Sequence, residues 1–149
     1  MRRIKNPQKR GFKFEDFLHK LFLENNMDPR GSFKIIGEQI DGSFMFQNEV
    51  YLLEAKWTKK PVDKSALVNF NSKVLSKSGF TRGLFISYSG YCNEALNTFS
   101  NGRNVKIILM TVRELAISFE REINFKDTLY KKIRALAEEG EYYMDIMDL

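Results

Sequence analysis

The chain has 149 residues, 43 % of them hydrophobic and 29 % charged, with a formal net charge of +5. That length is enough to bury a core as one domain, and no apolar run approaches the roughly 20 residues of a membrane span. One cysteine, Cys92, and one histidine, His19, exclude an internal disulfide and a Cys/His zinc centre. The basic start is not followed by the apolar core of a signal peptide, so a cytoplasmic protein with no membrane partner is expected.

The charge is segregated. Residues 1–14 carry six Lys/Arg and no acid, residues 56–77 carry six Lys and one Asp, and residues 138–149 carry five acids and no base. Clustered cations point to a polyanionic partner, because phosphate attraction dominates nucleic-acid affinity. A solvated, solubilising face is the plainer alternative. The two weigh equally for the N-terminal arm, whereas the lysines beyond Lys56 favour nucleic acid.

In chain order, Phe14, Phe17, Leu18, Leu21 and Phe22 follow i, i+3, i+4, i+7, i+8 and predict an amphipathic helix over about residues 13–26, ended by Asp28-Pro29-Arg30-Gly31. A short strand over about 32–36 comes next. Residues 37–46 alternate, with Ile40, Gly42, Phe44 and Phe46 on one side and Gln39, Asp41, Ser43 and Met45 on the other. Residues 49–57 form the returning strand, with Gln47-Asn48 as the turn. Asp63 is a plausible N-cap for a helix over about 64–78 that buries Ala66, Leu67, Phe70 and Val74. A buried strand over 82–87, a short helix over 93–100, a strand over 105–110 and two helices over about 112–120 and 126–139 complete the reading. Strands alternating with helices pair in parallel while the hairpin is antiparallel, so the sheet should be mixed.

The chemistry sits on the hairpin. Side chains two apart on a strand share a face, so Glu54 and Lys56 project together. A turn centred between residues 47 and 48 sets Asp41 opposite Glu54, where like charges destabilise a sheet. Such a pair needs a compensating cation, and carboxylate oxygens suit Mg²⁺ or Mn²⁺. A slip of one residue would put Asp41 on the far face. The competing reading is a hairpin with a charged solvent face; Val50 and Leu52, on the side of Glu54 and Lys56, argue that this face is covered.

A helix, three strands with Asp…Glu-x-Lys on the hairpin, a helix and a strand resemble the PD-(D/E)xK nuclease superfamily, the restriction-endonuclease-like fold. More narrowly, Gly11-x-x-Phe14-Glu15-x-x-Leu18-x-x-Leu21, Ile40-Asp41-Gly42, Leu53-Glu54-Ala55-Lys56-Trp57 and Gly83-Leu84-Phe85-Ile86-Ser87 are similar, in the same order, to the Mrr-like restriction endonuclease family. The similarity covers about residues 11–115. Ile40 stands where the superfamily name has proline, and Glu54 is a full acid where many Mrr-like relatives carry Gln.

The resemblance implies an α/β domain with an αβββαβ core, a mixed central sheet flanked by helices, and additional C-terminal helices. Residues 1–12 would be a basic arm and 13–149 a single nuclease domain. It also implies a Mg²⁺-dependent DNA endonuclease of restriction or defence type, with Mn²⁺ able to substitute. Asp41, Glu54 and the backbone carbonyl of Ala55 would bind the metal, and Glu15 would be an outer metal or water ligand. Lys56 would orient or deprotonate the attacking water, or neutralise the developing charge.

Lys59, Lys60 and Lys64 are expected on the DNA backbone, with Arg10, Lys13 and Lys73 as further DNA-binding candidates. For Lys73 a solvated helix face weighs equally. His19 could hydrogen-bond Glu15 or touch phosphate, but an ordinary half-buried histidine is preferred. Trp57 could stack on a base, although its alternation with Leu53 and Ala55 favours core packing. Ser87 and Ser89 lack a histidine partner, so a serine-nucleophile reading fails. Two alternatives remain: a non-cleaving DNA-binding module of the same fold, and a dimeric, junction-resolvase-like nuclease. A homodimer or a separate target-recognition domain is expected, since a double-strand break needs two cuts.

Overall fold

The computed structural model describes residues 6–35 and 37–149. Residues 1–5 of the expected basic arm, and Ile36 in the expected first strand, lie outside them. Helix α1 spans Pro7–Glu24, beginning seven residues before the apolar stripe does. Its start is set by a cap: the Asn6 side chain accepts from the amides of Gln8 and Lys9 at 3.0 and 3.2 Å. Residues 7–12 are therefore helical.

Strands β1 (Phe33–Ile35) and β2 (Glu38–Ile40) form a small antiparallel pair of their own. Strands β3 (Gly42–Phe46), β4 (Glu49–Lys56), β5 (Thr81–Ser87) and β6 (Ile107–Thr111) make the main sheet in the order β3-β4-β5-β6. The first pair is antiparallel and the other two are parallel, so the sheet is mixed as expected. Helices α2 (Lys64–Leu75), α3 (Asn93–Thr98), α4 (Val112–Glu120) and α5 (Phe125–Glu139) complete the elements that matter here. Asp63 caps α2 as predicted, accepting from the Ala66 amide at 2.9 Å, although the helix stops at Leu75.

The sheet separates two apolar layers. On one face Phe14, Leu18 and Phe22 of α1, with Leu115, Phe125 and Leu129, pack against Phe44, Tyr51, Leu53, Leu84, Ile86 and Ile108. On the other, Leu67, Phe70 and Val74 of α2, with Ala95 and Phe99, pack against Ile40, Leu52, Phe85, Ile107 and Leu109. The second contact is close because Gly83 has no side chain: a Cβ there would lie 2.8 Å from methyl groups of both Val74 and Ile107.

The hairpin register is the expected one, running from Gly42 opposite Leu53 to Phe46 opposite Glu49. Gln47 and Asn48 both take positive φ, 51° and 65°, as a two-residue type I′ turn requires. The single alternating strand expected over residues 37–46 is corrected. It breaks at Asp41, so Ile40 faces the α2 layer while Phe44 and Phe46 face the α1 layer. At the break the Asp41 carboxylate takes the rung that a backbone carbonyl would fill, accepting from the Ala55 amide at 2.9 Å. Leu52 is buried as expected, whereas Val50 is exposed, so the α2 layer covers only part of that face.

Both outer edges of the sheet are bonded. On β3, Ser43 exchanges two hydrogen bonds with Arg30, and the Met45 amide donates to the Met27 carbonyl. On β6, the Leu109 amide donates to the carbonyl of Tyr142 in the C-terminal segment. That segment is held by a buried ion pair between Lys132 of α5 and Glu114 of α4 at 2.7 Å. The Lys132 ammonium also donates to the Leu109 and Met144 carbonyls, and Glu114 accepts from the amides of Thr111 and Ile146.

Candidate active site

The fork at Asp41 brings together residues from both faces of the sheet. Glu54 and Lys56 share the α2 face of β4, as the two-residue spacing requires. From α2, the Lys73 ammonium comes within 3.7 Å of a Glu54 carboxylate oxygen and donates to the Gln39 carbonyl at 3.1 Å. Lys73 is thus part of this cluster and not a solvated helix face. From the opposite face, Glu15 of α1 and Asp41 line a cleft of about 300 Å³ with Phe12, His19, Arg30 and Ser32.

The electrostatics fit a cation-binding site. Burial, then repulsion from Asp41, raises the pKa of Glu54 against the opposing pull of Lys73 and Lys56. Asp41 is raised chiefly by burial, offset by the Ala55 amide and the same two lysines. Glu15 is lifted to about 7 by burial, then by the charges of Asp41, Asp16 and Glu54. Three carboxylates face two ammonium groups, leaving negative charge unbalanced when all are ionised.

A third oxygen donor is set by the strand. The Lys56 carbonyl accepts from the Tyr88 amide at 2.8 Å, so it points toward β5. The Ala55 carbonyl, one residue earlier, must point the other way, beside its own amide and toward the side where the β3 pairing has ended at Gly42. Among the described residues no three His, Cys, Asp or Glu side chains converge to hold an ion. Two carboxylates and one carbonyl would suit a hard divalent cation, which takes oxygen donors and completes its shell with waters and phosphate oxygens.

Lys59 and Lys60 are exposed on the loop after β4 and share a shallow groove with Lys56 and Thr58. Lys64 begins α2, and Arg10 and Lys13 lie in the first half of α1, Arg10 partly buried and Lys13 exposed. Among the described residues, no ion pair joins these five to Asp41, Glu54 or Glu15. Trp57 packs in the core as preferred, its ring meeting Phe14 edge-on, yet its face also stacks on Tyr88. Arg30, which the sequence reads as part of the turn that ends α1, also lines the cleft. His19 lines the cleft with Glu15, and their four-residue spacing on one helix was the available signal.

The Mrr_cat family profile, described as restriction endonuclease, matches residues 8–118. The chain belongs to the restriction endonuclease family, a class of nucleases. Among solved structures it is similar to a protein of unknown function, AF1548, at 18 % identity and a TM-score of 0.54, over 81 % of this chain and 76 % of that one. A second similarity is to the MspJI restriction endonuclease in complex with a 27-mer oligonucleotide, at 16 % identity and a TM-score of 0.47. It covers 88 % of this chain, which spans about a third of that protein, 33 %. No curated protein matches the chain. Family and architecture together give a mixed α/β, restriction-endonuclease-like fold. Among the described residues no helix is long and apolar enough to cross a membrane.

Proposed function

We propose that the chain is a divalent-cation-dependent DNA endonuclease of the Mrr-like type, acting in restriction of foreign or modified DNA. The observation that carries this reading is the fork at Asp41. There two half-buried carboxylates, both raised in pKa by burial and Glu54 further by Asp41, stand beside an outward Ala55 carbonyl and two lysines. Asp41, Glu54 and the Ala55 carbonyl would hold Mg²⁺ or Mn²⁺, with Glu15 as an outer ligand. A bound cation of this kind supplies Lewis-acid polarisation of a phosphoryl oxygen and acidification of water.

The chain's own groups do the rest. Lys73 anchors Glu54 through the ion pair and fixes it against the Gln39 backbone. Lys56 presents its ammonium to the scissile phosphate, or in its neutral form accepts the proton of the attacking water. The Ala55 amide anchors one oxygen of the Asp41 carboxylate, which would leave the other to the cation. Lys59 and Lys60, followed by Lys64, Arg10 and Lys13, would attract the DNA backbone without reading sequence. Two such chains, or a separate target-recognition domain, would supply the second cut and the choice of target.

The test is cleavage of methylated and unmethylated supercoiled plasmid in Mg²⁺, Mn²⁺ or EDTA, beside Lys56→Ala and Asp41→Asn. Nicking or linearisation that needs the cation and is lost in both variants is the expected result. Tight, salt-sensitive binding with no cutting under any condition would replace this reading with a DNA-binding module that does not cleave.

A further inference from the structure

The cleavage chemistry leaves one ordered surface group unused. Continuing the β4/β5 register past Lys56 opposite Ser87 places Trp57 beside Tyr88, and their rings stack with centroids 4.0 Å apart and planes 15° apart. Behind Trp57 lies Phe14, edge-on at 5.3 Å and 1 % exposed, so three rings run in series from the core to the surface. Tyr88 ends the series and is 43 % exposed.

The end of this series is held in place. The Tyr88 amide donates to the Lys56 carbonyl at 2.8 Å, and the Ser89 hydroxyl donates to the Thr58 carbonyl, tying the two loops together. A ring fixed in this way has already lost most of the rotamer freedom that a ligand would otherwise have to restrict. We propose that Tyr88, backed by Trp57, is a stacking platform for an unpaired nucleobase next to the cleaved phosphodiester. The preferred substrate is then DNA with a single-stranded or unstacked nucleotide at the cut. This inference rests on the nuclease reading above.

Charge and geometry select the occupant. Lys59 and Lys60 are exposed within three residues of Trp57, which draws a phosphate-bearing strand to the ring and disfavours an apolar peptide. Inside a duplex both faces of each base are covered by its neighbours, so only a base out of the stack can offer one to Tyr88. Trp57 projects from the α1 face of β4, the face from which Glu15 and Asp41 line the cleft, one residue beyond Lys56, so a base on this platform belongs to a nucleotide at the strand end that carries the site. Stacking of this kind tolerates any base, because every base has a π face.

The experiment compares the full-length wild type, Tyr88→Leu and Tyr88→Phe in EDTA, where no strand is cut. Each is titrated by fluorescence anisotropy into a single-stranded oligonucleotide carrying 2-aminopurine, and into the same strand annealed to its complement. Tyr88→Leu should weaken single-strand binding about ten-fold or more, leave duplex binding unchanged and abolish the quenching of 2-aminopurine. Tyr88→Phe should behave as wild type, which separates stacking from a folding defect. Unaltered single-strand affinity in Tyr88→Leu, or an equal loss on both substrates, overturns the platform and leaves the nuclease reading to the plasmid assay. Wild-type protein that binds neither substrate overturns both.

Discussion

Replacing Lys132 by methionine keeps the length of the side chain and removes its charge. The ammonium sits on a side chain that is 2 % exposed, facing a Glu114 that is 0 % exposed. It lies 3.1 Å from the Leu109 carbonyl, 2.7 Å from that of Met144 and 2.7 Å from Glu114. In the variant, Glu114 keeps the amides of Thr111 and Ile146 but loses its counter-charge, and two carbonyls lose a donor. Breaking a buried pair from one side costs about 3–5 kcal/mol. A domain of this size loses roughly 2–4 °C of Tm per kcal/mol, so a fall of about 10 °C is expected in a thermal melt. The double variant Glu114→Gln, Lys132→Met should recover at least about 1 kcal/mol of that loss, because no unpaired charge remains. A single-variant cost below about 1 kcal/mol would refute the argument, since the pair would then contribute no more than a surface one.

Other expectations follow from single contacts. Glu15 has its folded pKa raised from 4.5 to about 7, so the cation-free folded protein holds a proton that the unfolded chain releases. This contribution to stability is present below pH 4.5 and lost as pH rises through 7. Because the side chain is partly open to water, screening reduces it to about 1–2 kcal/mol, and urea melts of Glu15→Gln in EDTA should show a flatter pH profile across this window. Gly83→Ala should cost about 1–3 kcal/mol by forcing apart Val74 and Ile107, measured as a lower urea midpoint. Replacing Gln47-Asn48 by Asn-Gly should stabilise by about 0.5–1 kcal/mol, since both positions have positive φ and glycine takes it without strain. Lys73→Met should lower the plasmid cleavage rate at least about ten-fold with a near-native melting curve, because it frees Glu54 without touching the core.

The parts of this architecture that were legible in the sequence are those governed by local patterns. The register of Gly42 opposite Leu53 followed from a two-residue turn, and the α2 cap followed from Asp63. The break at Asp41 was not legible, because apolar alternation continues through it. Only the three-dimensional position of the Ala55 amide shows that a side chain has taken over a backbone rung. The start of α1 was missed because periodicity marks where a helix is buried, whereas Asn6 marks where it begins. The burial of Lys132 has no local signal, since a lysine on an amphipathic helix normally faces solvent and its partner Glu114 lies on another helix. The same gap in range left Lys73 undecided: reaching Glu54 depends on the packing of α2, which no local spacing encodes.

The bonding of both sheet edges restricts how two copies can meet. A strand whose outer amides and carbonyls are already occupied offers no template to another chain. With residues 27–30 lying along β3, and Tyr142 and the Lys132 ammonium on Leu109 of β6, two copies cannot extend the four-stranded sheet through these positions without first peeling away native structure. A pair assembled for a double-strand cut would therefore dock through helices, loops or the separate β1–β2 pair. The distance between its two scissions would then be set by side-chain packing and could change with a few surface substitutions, while each sheet and its fork stayed as they are.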